Sequence, residues 1–245
     1  MTPETGGPEG AGGSPTKAGY LIGAVMAVLI AGGIYLALTA GGNDDPGAAH
    51  LATPSSGSTN GIQPDERTGT TVEAGSTDVR NAAGVAGCSL KLGLPEEGRD
   101  HLTRDDPVPD YKTVPPTSGD HIGPPLQQAD GAYIETPRPE DVVHSLEHGR
   151  IAIQYSPDLP EDDQLMLKGL YDSAYSGALL FPNADMPYSV AATAWRGLIA
   201  CPGFGGKSTI DAIRAFGVEA QGRAPEPLDI FPPLEGPKFM DLRKS

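Results

Sequence analysis

The chain has 245 residues, with 17 basic against 32 acidic side chains and a formal net charge of −15. This balance excludes a nucleic-acid role built on phosphate contacts, which need clustered cations. At this length the chain could hold one domain or two small ones, but the glycine-dense N-terminal third means that not all of it is available for a core.

Residues 19–42, GYLIGAVMAVLIAGGIYLALTAGG, carry no charge. At about 1.5 Å per residue such a run crosses a bilayer core of roughly 30 Å, and it is predicted to be a transmembrane helix. A cleaved secretory signal is the competing reading, but the run is long for one and LALTAGG is a poor cleavage site. Lys17 and the terminal amine precede the span, whereas Asp44 and Asp45 follow it and the next basic residue is Arg67. The positive-inside rule therefore predicts a single-pass protein of the cell membrane, with a disordered cytoplasmic segment over 1–18 and the bulk of the chain extracytoplasmic. Residues 43–86, poor in large apolar side chains and rich in Gly, Ser, Thr and Asp, read as a disordered linker.

A globular domain is expected over 87–222. Its two cysteines, Cys88 and Cys201, are expected to pair in an oxidising compartment, a closure that contributes about 4–5 kcal/mol in the chain-entropy model. Two separate buried thiols are the alternative. From Cys88 to about Pro139 the chain is loop-rich, and its prolines predict a rigid, extended wrapping segment. RPEDVVHSLEHG then has proline and acids in the first turn and a glycine stop, which predicts a short helix, and RIAIQY a strand. A second helix is expected over PEDDQLMLKGLYDSAYSG, then strands at ALLFP and YSVAATAWRG separated by NADM, and a third helix over 207–217. The order implies an α+β domain, a small mixed β-sheet with packed helices, built from a crossover unit and a hairpin. The proline-rich remainder, 223–245, reads as an irregular tail.

The chemistry lies in the histidines. His144 and His148 stand one helical turn apart, so both can reach one metal ion; the plainer alternative is polar groups satisfied at a helix end. His121 sits in the stiff loop PPTSGDHIGPP and His101 in a polar turn, and imidazoles from separate segments commonly complete such a site. HSLEH also fits the inverted zinc-protease pattern H-x-x-E-H with Glu147 as general base, but the glycine immediately after His148 leaves too short a helix. Ser118 and Ser145 lack a nucleophile-elbow context, and no phosphate-binding or dinucleotide fingerprint is present.

PPTSGDH, GAY, VVHSLEHGRIAIQYSP and ATAWRG together resemble the domain of unknown function 3105 family, over roughly residues 88–217. The resemblance implies histidines at positions 101, 121, 144 and 148 and supplies no reaction. A thioether would favour copper over zinc, and Met186, in the turn NADMPYS, is the candidate soft ligand, with a packing role as its alternative. Glu147 is alternatively an outer-shell partner that fixes an imidazole tautomer.

The sequence thus predicts a membrane-tethered domain binding a transition metal, copper before zinc, through His121, His144 and His148, completed by His101 or Met186. Two rivals stay open: a metal-dependent hydrolase or oxidoreductase using the same histidines, and a structural or interaction domain without metal. The membrane through 19–42 and a protein in the cell envelope are the expected partners; the sequence specifies no small-molecule ligand.

Overall fold

The computed structural model describes residues 59–73, 75, 78–173, 177–220 and 223–227. The expected membrane span, the cytoplasmic segment, part of the linker and the tail beyond 227 lie outside these residues. Among the described residues no helix is long and apolar enough to cross a membrane.

Among the described residues four helices and eight strands follow one another as α1 (Val79–Ala86), β1 (Ser89–Leu92), β2 (His101–Leu102), β3 (His121–Ile122), β4 (Gly131–Ala132), α2 (Pro139–Glu147), β5 (Ile151–Tyr155), α3 (Glu161–Asp172), β6 (Ala178–Pro182), β7 (Val190–Ala194), β8 (Gly197–Cys201) and α4 (Lys207–Ala220). Six strands form one mixed sheet in the order β1-β8-β7-β5-β6-β4, and β2 and β3 form a separate two-stranded ribbon. β5 lies in the interior of the sheet with all five residues buried, parallel to β6 and antiparallel to β7. Its run of Ile, Ala, Ile, Gln and Tyr suits a strand covered on both faces.

The mixed α+β sheet is as expected from the sequence, with corrections of detail. The linker expected to run to residue 86 ends earlier, because Val79–Ala86 form a helix whose Val79, Ala82 and Ala83 join the core. The Asp78 side chain caps it, accepting from the Asn81 amide at 2.8 Å, and Gly87 closes it at a φ of 67°. The expected hairpin of ALLFP with YSVAATAWRG does not form. β7 instead lies between β5 and an additional strand, β8, which it reaches through the turn at Trp195 and Arg196. α4 runs through the expected glycine stop to Ala220, with Gly217 buried inside it.

The pleat sends alternate residues to opposite faces. One face carries Ile151, Ile153, Leu180, Val190, Ala192 and Ile199, packed with Leu167, Leu170, Ile213 and Phe216 from α3 and α4. The other carries Ala152, Leu179 and Phe181, which pack with Val142, Val143 and Leu146 of α2 and with Tyr133 and Trp195. Cys88 and Cys201 are bonded to each other. They lie one step beyond the Ser89–Ala200 pair of the β1–β8 ladder, so the disulfide is a cross-strand staple at the edge of the sheet.

Candidate metal centre

Two pieces of backbone deliver the imidazoles. The first is the β2–β3 ribbon, in which His101 and His121 are register partners. A main-chain bond from the His121 amide to the Asp100 carbonyl, 3.0 Å, and one from Gly123 to Leu102, 2.8 Å, hold the ribbon together. Gly119, two residues before His121, has a φ of 136°, and a side chain there would meet the Tyr111 ring at 2.6 Å. That position therefore demands glycine, and its carbonyl accepts from His121 Nδ1 at 2.8 Å.

The second piece is α2. Pro139 opens it and Glu140 and Asp141 lie in its first turn, where the helix dipole favours acids. Arg104 grips Asp141 through two bonds of 2.6 and 2.9 Å, and the Asn60 amide adds a third at 2.9 Å. Burial nonetheless raises the Asp141 carboxyl above its ordinary range, against the pull of Arg104. Ser145 is committed to structure, donating to the Gln128 carbonyl at 2.6 Å. The helix ends at Glu147, His148 serves as C-cap, and Gly149 turns the chain at a φ of 92°.

His101, His121, His144 and Glu147 each place one ligand-capable atom within 4.8 Å of every other. His121, His144 and Glu147 are buried, whereas the His101 side chain is 46% exposed. Glu147 Oε2 lies 2.9 Å from His121 Nε2 and 3.9 Å from His101 Nε2. Among the described residues His144 Nδ1 is buried without a hydrogen-bond partner, and His121 Nε2 and Glu147 Oε2 have none beyond each other. Buried polar atoms left in this way cost about 1–3 kcal/mol each. His121 Nδ1 donates to a carbonyl, so a neutral ring would set its Nε2 lone pair against the Glu147 carboxylate oxygen, and a cation between the two, a proton or a metal ion, joins them.

The electrostatics favour a neutral ring at His144. Burial, followed by the neighbouring His121, His148 and His101 and by Arg150, pushes the His144 pKa down to about 3. Neutral imidazole is the form that binds a metal. Arg150, fully buried, pairs with Asp130 and donates to Gln127 at 3.0 Å. Asp130 in turn accepts from the Gly177 amide at 3.1 Å. The cluster thus stands beside a charge pair that fixes the chain where α2 gives way to β5.

Of the residues singled out from sequence, His101, His121, His144 and Glu147 come together. His148 belongs to a second, more exposed group with Glu147 and Glu226. Met186 packs with Ala191, Leu198 and Ala200 in an apolar cluster, and its thioether is used there as filling. Trp195 is a wall: its ring meets that of His121 edge-on at 6.2 Å, and its indole N–H donates to Glu96 at 3.2 Å. The Arg150–Asp130 pair and the Glu226 main chain were not singled out. Arg150 directly follows the HSLEHG stretch, and a charged residue between a helix stop and a fully apolar strand start is a signal of pairing. The Glu226 carbonyl has no such signature.

A family model described as Protein of unknown function (DUF3105) matches residues 101–228, a span that starts at the first histidine of the cluster. No curated protein and no solved structure matches the chain.

Proposed function

The chain belongs to the DUF3105 family, which is described only as of unknown function, and from that premise and the geometry of its histidines we propose that the domain holds a transition-metal ion of the zinc class. His121, His144 and Glu147 are the buried donors and His101 the exposed fourth. The observation that carries this reading is the convergence of three buried atoms inside one four-residue cluster: His144 Nδ1 has no hydrogen-bond partner among the described residues, and His121 Nε2 and Glu147 Oε2 face only each other. Such an arrangement costs stability in the absence of a cation and is relieved by one.

Imidazole nitrogens and a carboxylate oxygen suit Zn²⁺, and four protein donors fill a tetrahedral shell, as in sites that bind without catalysing. Copper was favoured in the sequence because of Met186, and that ground is lost where the thioether packs among alanines and Leu198. Cu²⁺ still competes on affinity alone. The uncharged run over 19–42 supports a role at the extracytoplasmic side of a membrane, with the linker as tether; membrane fractionation of the intact chain, with and without residues 19–42, tests that part.

The decisive experiment is elemental analysis and zinc titration of the full chain, beside His121→Ala and Glu147→Gln variants shown to be folded by circular dichroism. About one equivalent of metal in the parent and none in the variants is the expected result; no binding of zinc or copper salts by the parent overturns it. The exposure of His101 favours one rival, in which this ligand leaves and opens a coordination position for a substrate. Zinc-dependent turnover of an activated ester, enhanced by His101→Ala, would establish that enzyme.

A further inference from the structure

His148 was expected to be a ligand, yet its two ring nitrogens are already engaged. Nδ1 lies 2.9 Å from the main-chain oxygen of Glu226, and Nε2 lies 3.0 Å from Nε2 of His144. A carbonyl oxygen only accepts, so Nδ1 of His148 carries a hydrogen. In a neutral His148 the lone pair is therefore at Nε2, and the bond between the rings is donated by His144 Nε2–H. That leaves the lone pair of His144 at Nδ1, the atom found buried and without a partner.

The opposite arrangement needs His148 to be a cation donating to His144. His144 Nδ1 would then carry a hydrogen with no acceptor, a buried donor abandoned beside a positive charge and close to Arg150. The neutral chain of bonds avoids both costs.

We infer that His148 is a positioning residue: held by the Glu226 carbonyl, it fixes the tautomer of His144 so that Nδ1 is the atom presented to the metal. This rests on the metal reading above and deepens it. Outer partners of this kind set ring orientation and basicity, and their loss typically lowers metal affinity about 10–100-fold. The chain of bonds also makes the segment around residue 226 part of the site, although it is 78 residues from His148. A second tie, from the Glu226 amide to the Glu147 carbonyl at 3.2 Å, fastens that segment to the end of α2. Glu226 contributes to this chain of bonds through its main chain, while its exposed carboxylate lies with Glu147 and His148 in the second group.

The test is long-range proton–nitrogen correlation spectroscopy on the metal-free full chain, labelled with nitrogen-15 in histidine. The chain has five histidines, so single substitutions assign them. The expected signature is His144 with hydrogen at Nε2 and a bare Nδ1. In His148→Leu the two tautomers of His144 should mix and zinc affinity should fall about 10–100-fold. His148→Gln, whose side-chain oxygen can still accept from His144, should recover most of both losses, and Glu226→Ala should change neither.

A hydrogen at Nδ1 of His144 in the parent overturns the inference. So does a His148→Gln variant no better than His148→Leu, or a zinc-induced shift showing His148 Nε2 to be a direct ligand. A parent with the expected tautomer that binds no zinc instead sinks the metal reading, and with it the positioning role, while leaving the hydrogen-bonded chain intact. The spectrum taken without metal separates the two failures.

Discussion

The two faces of the sheet are built on different terms. The face under α3 and α4 is an apolar interior in which Ile151, Ile153, Val190, Ile199, Ile213 and Phe216 interdigitate. Its buried charges are matched locally, as Lys168 is by Asp172 and Asp65 by Arg67. On the other side, α2 brings Glu140, Asp141, His144, Ser145 and Glu147 into the interior along with its apolar residues. Among the described residues His144 Nδ1 is left without a partner there, and His121 Nε2 and Glu147 Oε2 face only each other. One face settles the fold; the other carries a cost that a bound metal ion would remove, which is how sites are told from cores.

Substitutions can separate the two. The largest loss is expected for Arg150→Met, which strands Asp130 in the interior and should cost about 3–5 kcal/mol in urea unfolding. Ile153→Ala opens a cavity on the apolar face and should cost about 2–5 kcal/mol, while the folded fraction keeps the zinc stoichiometry of the parent. The converse is Glu147→Gln, which should leave the fold standing and abolish stabilisation by zinc. For the parent that stabilisation is about 2.7 kcal/mol at a zinc concentration one hundred times the dissociation constant. If Ile153→Ala lost the metal while folded, or Glu147→Gln kept it, the division between the faces would be wrong.

The smallest effect is that of pH on the metal-free chain. Folding lowers the His144 pKa from 6.5 to about 3. Between these values the unfolded chain binds the proton and the folded chain does not, so stability is fully present above about pH 6.5 and declines as pH falls through the window. The loss should reach at most about 2 kcal/mol between pH 7 and 5, and denaturation curves of His144→Gln should lack that part of the slope.

From Pro139 onward the sequence announces most of its elements, because prolines, acids and glycines mark the ends of α2 and α3 and because Ile151–Tyr155 is a short apolar run. β8 was hidden. GLIAC follows a two-residue turn so closely that it reads as the end of the preceding strand, and only its pairing with β1 and β7 defines it. α1 was hidden for the opposite reason: its small residues look like linker, and burial against α4 makes them helical.

The histidines themselves were legible, since spacing along a helix is a local property. Their division of labour was not. Whether His148 coordinates or positions depends on a main-chain oxygen of Glu226, and whether Met186 coordinates depends on which face of the sheet it fills. Both are facts of tertiary packing. The pairing of His101 with His121 across the ribbon lies between these cases, because a stiff proline-rich loop suggests a fixed imidazole without saying what stands opposite.

The cross-strand disulfide joins cysteines 113 residues apart, and the whole stretch from His101 to His148 lies inside the covalent loop it closes. Val108 and Val114, between His101 and His121, are exposed and offer sites for a protease. A single nick there would put these two histidines on different fragments, yet the fragments would stay linked through Cys88 and Cys201 and the β2–β3 register could persist. The nicked chain would run as one species until reduced.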